Sequence, residues 1–253
     1  MNFIVDVAIV IWFYMTIVFL LAVLKEDNSI VDFFWGLGFI LVAFYSMVSC
    51  HNLTLHNSLL NLMILTWGVR LSFHIFIRNH GKPEDFRYKA WRDTWKWFRL
   101  RSYFQIFMLQ GFLMLIISAP IYLSNVQDQS KFGLSDAFGM ILFLIGFGFE
   151  WLGDHQLAKF RSNPLNKGKI ITVGLWRWTR HPNYFGEALL WLGIGVFAFS
   201  AGSWYVFISP LILTLLLRFV SGVPMLEKKY EGRGDWAEYC KKTAPFVPFV
   251  HFL

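Results

Sequence analysis

The sequence predicts an all-α, polytopic integral membrane protein of seven transmembrane helices, with its N-terminus outside and its C-terminus in the cytoplasm. Three observations predict it. Apolar residues make up 56% of the chain and charged residues 15%, far from the composition of a soluble domain. Uncharged stretches long enough to cross a bilayer recur along the chain. Lys and Arg gather in alternate connecting segments, as the positive-inside rule requires.

The first uncharged stretch, 7–24, follows Asp6 rather than a basic segment and has no small-x-small cleavage site, so it is read as a retained span. Stretches 33–50, 52–69 and 102–127 follow. The fifth, 137–149, is shorter and extends at helical spacing through Glu150 and Asp154. Residues 188–217 are too many for one span; the breaker cluster Ser200-Ala201-Gly202-Ser203 divides them into two helices. With the N-terminus outside, segments 25–32, 78–101, 159–183 and 225–253 are cytoplasmic and hold 20 of the 23 Lys and Arg residues. Lys131 falls in an outer loop, while Arg70 and Arg218 lie inside spans. A six-span count would put the basic tail outside, where the rule disfavours it.

The formal charge of +7 is therefore a topogenic signal and a reserve of cationic groups for phosphates or anionic headgroups. No nucleic-acid motif accompanies it. Cys50 and Cys240 fit no metal spacing and fall on opposite sides of the membrane. With no repeat or linker, 1–253 reads as one domain, its cytoplasmic loops 78–101 and 159–183 and its tail 225–253 covering a site.

Ionisable groups inside the predicted bundle mark that site, because charge in a bilayer is costly unless it has a task. Arg70, His74 and Arg78 recur every four residues, one turn beyond Trp67, on one face of the third helix. Glu150 and Asp154 repeat the spacing on the fifth, with Arg161 two turns on. Those acids would accept ribose hydroxyls or pair with Arg70 and His74. Asp32 stands at an N-cap position before Phe33-Phe34-Trp35-Gly36. The densest stretch, Gly174 to Glu187, holds Arg180-His181-Pro182-Asn183-Tyr184: cationic and donor groups, then a Pro suited to open a helix beside an anion. Glu187 is expected in that helix's first turn, where an acid favours the dipole.

Taken together, Asp32-x-x-Trp35-Gly36, Trp67-x-x-Arg70-Leu71, Gly81-x-x-Glu84-Asp85-x-Arg87-Tyr88, Glu150-x3-Asp154-x-Gln156, the run from Gly174 to Glu187 and Leu226-Glu227-Lys228-Lys229-Tyr230 resemble the steroid 5-alpha-reductase family, especially its bacterial membrane branch. The resemblance implies a membrane oxidoreductase with NADPH as cofactor. It would reduce a carbon–carbon double bond conjugated to a carbonyl in a steroid or other lipid, in a bacterial inner membrane or, in a eukaryote, the endoplasmic reticulum. It implies cofactor contacts from Glu150, Asp154, Arg161, Asn183 and Glu187, and phosphate or ribose contacts from Arg78, Asn79 and Arg180. Arg70, His181 and Tyr184 complete the expected set. Where eukaryotic steroid reductases pair a Glu with a Tyr on the substrate ketone, Asp32 and Trp67 stand here. An indole donates a hydrogen bond but supplies no proton, so Asp32, kept protonated by apolar neighbours, or His74 is the expected proton donor. Two rival readings follow from the same residues. The Arg-His-Pro turn is shared with S-adenosylmethionine-dependent membrane methyltransferases of the isoprenylcysteine carboxyl methyltransferase type, and a non-enzymatic lipid-binding protein would bind no nucleotide.

Overall fold

Apolar helix is the way to satisfy every backbone group inside a bilayer without closing a barrel, and the chain takes that solution throughout. The computed structural model describes residues 3–127, 132–199 and 202–250; Lys131, Ser200, Ala201 and the last three residues of the expected tail lie outside them. Among these residues twelve α-helices occur in order: α1 Phe3–Lys25, α2 Ile30–Cys50, α3 Leu55–Asn79, α4 Phe86–Thr94, α5 Phe98–Ser102, α6 Leu109–Ile117, α7 Ala119–Asn125, α8 Leu134–Ser162, α9 Pro182–Phe199, α10 Ile208–Leu215, α11 Val223–Glu227 and α12 Gly234–Lys242. A π-helical stretch, Tyr103–Met108, joins α5 to α6, and another, Leu216–Val220, follows α10. No strand occurs among the described residues.

Among the described residues six helices are long and apolar enough to cross a membrane: Phe3–Lys25, Ile30–Cys50, Leu55–Asn79, Phe98–Ile117, Leu134–Ser162 and Trp204–Tyr230. The helix that carries the uncharged run from 188 begins at Pro182; its polar opening, with Asn183 and Glu187, dilutes its apolar content, and it is not among the six. The expected stretch 102–127 ends as a continuous helix at Ile117, where Ser118 leaves helical geometry and α7 starts at Ala119 with Pro120 in its first turn. Loop 78–101 is largely helical. Asp32 is not an N-cap, because α2 starts two residues earlier behind Ser29. Glu187 falls beyond the first turn of α9, since no acid stands there.

The chain divides into two compact units. One holds residues 1–132 with 198–206; the other holds 133–197 with 207–253. In the first, Val7, Ile11, Met15, Val18 and Ala22 give α1 a buried stripe at steps of three and four, while Ile9, Phe13, Ile17 and Leu20 point outward. Apolar groups on both sides suit a helix with lipid on one side and protein on the other. Helices α2 and α3 meet at glycines: a Cβ on Gly36 would lie 2.6 Å from the Gly68 carbonyl oxygen, and one on Gly68 2.8 Å from that of Gly36. Trp67 is wholly buried beside them, edge-on to Phe39 at 5.4 Å.

In the second unit α8 and α9 run antiparallel along a glycine seam. Gly139, Gly146 and Gly153 recur every seven residues on α8, facing Gly186 and Gly193 on α9. A Cβ would lie 2.4 Å from the Leu190 amide nitrogen at Gly146, 2.3 Å from that of Glu150 at Gly186 and 2.5 Å from that of Phe143 at Gly193. Small residues let backbones touch where lipid gives no hydrophobic push. Cys50 and Cys240 are both free thiols.

Candidate functional site

The seam fixes where the polar residues of α8 and α9 emerge. Below it the chain turns back through Gly174–Arg177, a short 3-10 turn. Gly174 has φ +64°, and a Cβ there would meet the Gln156 side chain at 2.5 Å; only glycine adopts that backbone cheaply. Gln156 Oε1 accepts the Leu175 N–H at 3.0 Å, and the Trp176 indole N–H donates to the Gly153 carbonyl at 3.1 Å. The turn is thus held against α8 before it reaches Arg180.

The tail then laces to the same turn. The Arg180 N–H donates to Ala244 O at 2.9 Å, Thr179 Oγ1 to Phe246 O at 2.7 Å, and the Phe249 N–H to Trp178 O at 3.2 Å. The Tyr239 hydroxyl donates to the Trp176 carbonyl. Thr179 and Ala244 pair as a short parallel bridge. This brings α11 and α12 beside the Arg-His-Pro turn.

Glu227 of α11 organises that turn. Its carboxylate takes Arg180 through Nε at 2.9 Å and Nη2 at 3.3 Å, a two-point grip, and takes His181 Nε2 at 2.9 Å. Burial pushes the His181 imidazole below its ordinary value, with Arg180 adding to the effect and Glu227 opposing it. The ring is therefore neutral near pH 7. A carboxylate only accepts, so the proton sits on Nε2. The ring stacks on Tyr184 at 5.7 Å, and Pro182 opens α9 as the sequence suggests. Asn183 Nδ2 donates to Asp154 Oδ1 at 3.0 Å.

These elements enclose a cavity of about 570 Å³, within the usual range for small-molecule sites. Six cationic side chains line it: Arg161, Lys167, Lys169, Arg180, Lys229 and Arg233. Phe160, Trp176, Tyr230, Trp236 and Tyr239 supply aromatic wall, with Tyr230 and Trp236 stacked at 4.9 Å. No carboxylate is among the lining residues. A chamber of this kind favours an anionic, ring-bearing ligand, because flat rings stack on the aromatics and phosphates meet the cations.

Of the residues expected at the site, Arg161, Arg180, His181 and Asn183 line this cavity. Glu150, Asp154 and Glu187 are buried in the same unit but do not line it. Tyr184 does not line it but stacks on His181, which does. Asp32, Trp67, Arg70, His74, Arg78 and Asn79 belong to the other unit. There Asp32 accepts twice, from the Tyr88 hydroxyl at 2.6 Å and from Arg87 Nη2 at 2.8 Å. The geometry makes Asp32 an acceptor, and the proton of that pair rides on Tyr88. Burial and the Asp32 charge raise the Tyr88 hydroxyl well above its ordinary value. Arg78 is exposed, its Nε donating to Asn79 Oδ1 at 3.1 Å.

Sequence reasoning passed over Glu227, Lys167, Lys169, Lys229 and Arg233 as site residues. Glu227 was visible only as part of a motif, because its partners lie 46 and 47 residues away. The lysines sit in turns without periodicity. The signal within reach was their density: basic residues and aromatics interleave from Lys228 to Tyr239.

Fold and site define a class: a helical membrane protein whose Arg-His-Pro turn and tail enclose a basic, aromatic chamber. The chain belongs to the family described as "Protein of unknown function (DUF1295)", whose model matches residues 18–243. It is similar to an uncharacterised protein of Schizosaccharomyces pombe, 26% identical over 213 residues, covering 73% of this chain and 58% of that one. It is also similar to a probable O-methyltransferase of Ustilaginoidea virens, 28% identical over 113 residues, covering 44% of this chain and 35% of that one. The chain thus spans between about a third and three fifths of the lengths of these relatives.

Proposed function

We propose that the protein is a membrane-embedded oxidoreductase that binds NADPH and reduces a carbon–carbon double bond conjugated to a carbonyl in a steroid or other lipid. The observation that carries the reading is the charge of the chamber: its lining has six cations, five large aromatics and no carboxylate, and two of the six, Arg180 and Arg233, pair with acids beyond it, Glu227 and Asp235. NADPH brings a pyrophosphate and a 2′-phosphate, and a 2′-phosphate calls for an extra basic contact. S-adenosylmethionine brings no phosphate and carries a sulfonium that this wall would repel. In this reading Arg161, Lys167, Lys169, Lys229 and Arg233 hold phosphate charge, Asn183 offers its amide, and Asp154 orients that amide. Arg180 and His181, fixed by Glu227, form the rigid end of the chamber.

NADPH, when bound, supplies the hydride for the β carbon of the acceptor. The protein holds the lipid, excludes water and delivers the balancing proton to the α carbon through the enolate. Seven spans with the N-terminus outside belong to the same proposal, which puts 159–183 and the tail in the compartment where NADPH circulates.

Similarity to a probable O-methyltransferase, together with the shared Arg180-His181-Pro182 turn, favours one second reading: methyl transfer from S-adenosylmethionine to a lipid. Parallel titration of the purified protein with NADPH, NADH and S-adenosylmethionine separates the two. Expected are saturable NADPH binding, weaker NADH binding and no S-adenosylmethionine binding; binding of S-adenosylmethionine alone rejects the reductase. Arg161→Gln and Asn183→Ala should each weaken NADPH by about tenfold, the worth of one hydrogen bond to a charged group, at unchanged Tm.

A further inference from the structure

The segment 84–101 sorts its charges by direction. Its two half-buried acids face inward and are used up. Glu84 accepts from the Asn28 N–H at 2.8 Å and from two nitrogens of Arg92 at 2.8 Å. Asp85 holds Arg87 at 2.9 Å while Arg87 reaches Asp32. These pairs keep both acids below the usual carboxylate range despite burial, which alone would raise them. What is left outside is basic. Lys89, Lys96, Arg99 and Arg101 are exposed, and Asp93 is the single exposed acid between 84 and 101.

The aromatic residues share this surface. Trp91 and Trp95 stack at 5.2 Å, and the Arg101 guanidinium lies 4.5 Å over the Trp95 ring. Trp97 is 78% exposed, with φ +59°, and turns the chain into the spanning helix Phe98–Ile117. Tryptophan and bare cations at the head of a span sit at the level of lipid headgroups. An amphipathic basic segment of this kind is attracted to an anionic leaflet.

We propose that residues 89–101 form a binding site for anionic phospholipid headgroups, with Lys96, Arg99 and Arg101 on the phosphate and Trp95 and Trp97 seated at the interface. The inward pairs of Glu84 and Asp85 give the site its specificity for charge, because they remove the acids that would otherwise cancel it. This site is independent of the chamber described above and does not rest on the reductase reading.

The test uses the full chain in detergent with phosphatidylglycerol or phosphatidylcholine added, and native mass spectrometry to count retained lipids. The wild type should retain phosphatidylglycerol in preference, and Lys96→Gln/Arg99→Gln/Arg101→Gln should lose that preference, by roughly fivefold per cation at low salt. Arg161→Gln, in the chamber, should retain it in full. Single variants Lys96→Gln and Arg99→Gln, each about fivefold weaker, serve if the triple variant does not fold. Equal retention of the two lipids by the wild type overturns the proposal, as does wild-type retention by the basic-to-Gln variants. Displacement of phosphatidylglycerol by millimolar inorganic phosphate would overturn the lipid assignment, because it would mark a site for small anions.

Discussion

Glu227 decides how two neighbours of opposite habit share one wall. Arg180 is always charged and would swing toward any anion; His181 is buried and resists protonation. One carboxylate holds both, so the guanidinium plane and the imidazole tautomer are fixed together. Removing it should free Arg180 and cost His181 its acceptor. Glu227→Ala should weaken ligand binding by about tenfold or more, on the scale of one lost charge-assisted hydrogen bond, while Glu227→Gln, which still accepts from His181, should recover part of the loss. Isothermal titration of the two variants checks this. The same triad predicts a pH dependence. The folded His181 is held below its ordinary value of about 6.5, so the unfolded chain takes up the proton first. Its contribution to stability is complete above about pH 6.5 and is lost as pH falls below that value. Thermal unfolding from pH 7.5 to 5.5 should show a decline that is smaller in His181→Gln.

At the scale of elements, the antiparallel α8–α9 pair rests on absence of side chains. Gly146→Val would place a Cβ 2.4 Å from a backbone nitrogen of the partner helix, a contact no rotamer relieves, so α9 must move. The expected result is a large drop in Tm in detergent, or failure to fold, on the order of the several kcal/mol typical of overpacked backbone seams. Gly148→Ala is the control: nothing lies within 4 Å of its Cβ, and removing a helical glycine should stabilise by about 0.5–1 kcal/mol. Equal Tm changes in both variants would refute the seam. The spans were legible in the sequence because a bilayer leaves the chain no alternative to long apolar helices, and six stand where uncharged runs announced them. The stripe Arg70, His74, Arg78 extends α3 to Asn79 as its four-residue spacing implies. The seven-residue glycine spacing was equally visible but was passed over, since hydropathy scoring is blind to it. The chamber was not legible: its lysines come from turns, and its end wall is made by a contact across 47 residues, which local pattern does not encode.

For the whole molecule, charge is allotted by place. Cations concentrate in the chamber and on the segment 89–101, while the buried acids pair or pack within each unit. Ligand affinity in the chamber should therefore fall as salt rises, since several cations act on one anion and are screened together. Titration at 50 and 500 mM NaCl should show a loss of about tenfold or more for the polyanion NADPH and no loss for S-adenosylmethionine, a net cation whose repulsion by the wall salt would screen, which separates the two proposed cofactors by a second route. The seam carries a different consequence. Glycine is the smallest residue, so every missense codon at Gly139, Gly146, Gly186 or Gly193 adds atoms and none removes them. Drift at these positions runs one way, toward helices forced apart. A randomly mutagenised pool sorted for expression should be depleted there of every replacement, alanine included, while Gly148 on the same helix accumulates them freely.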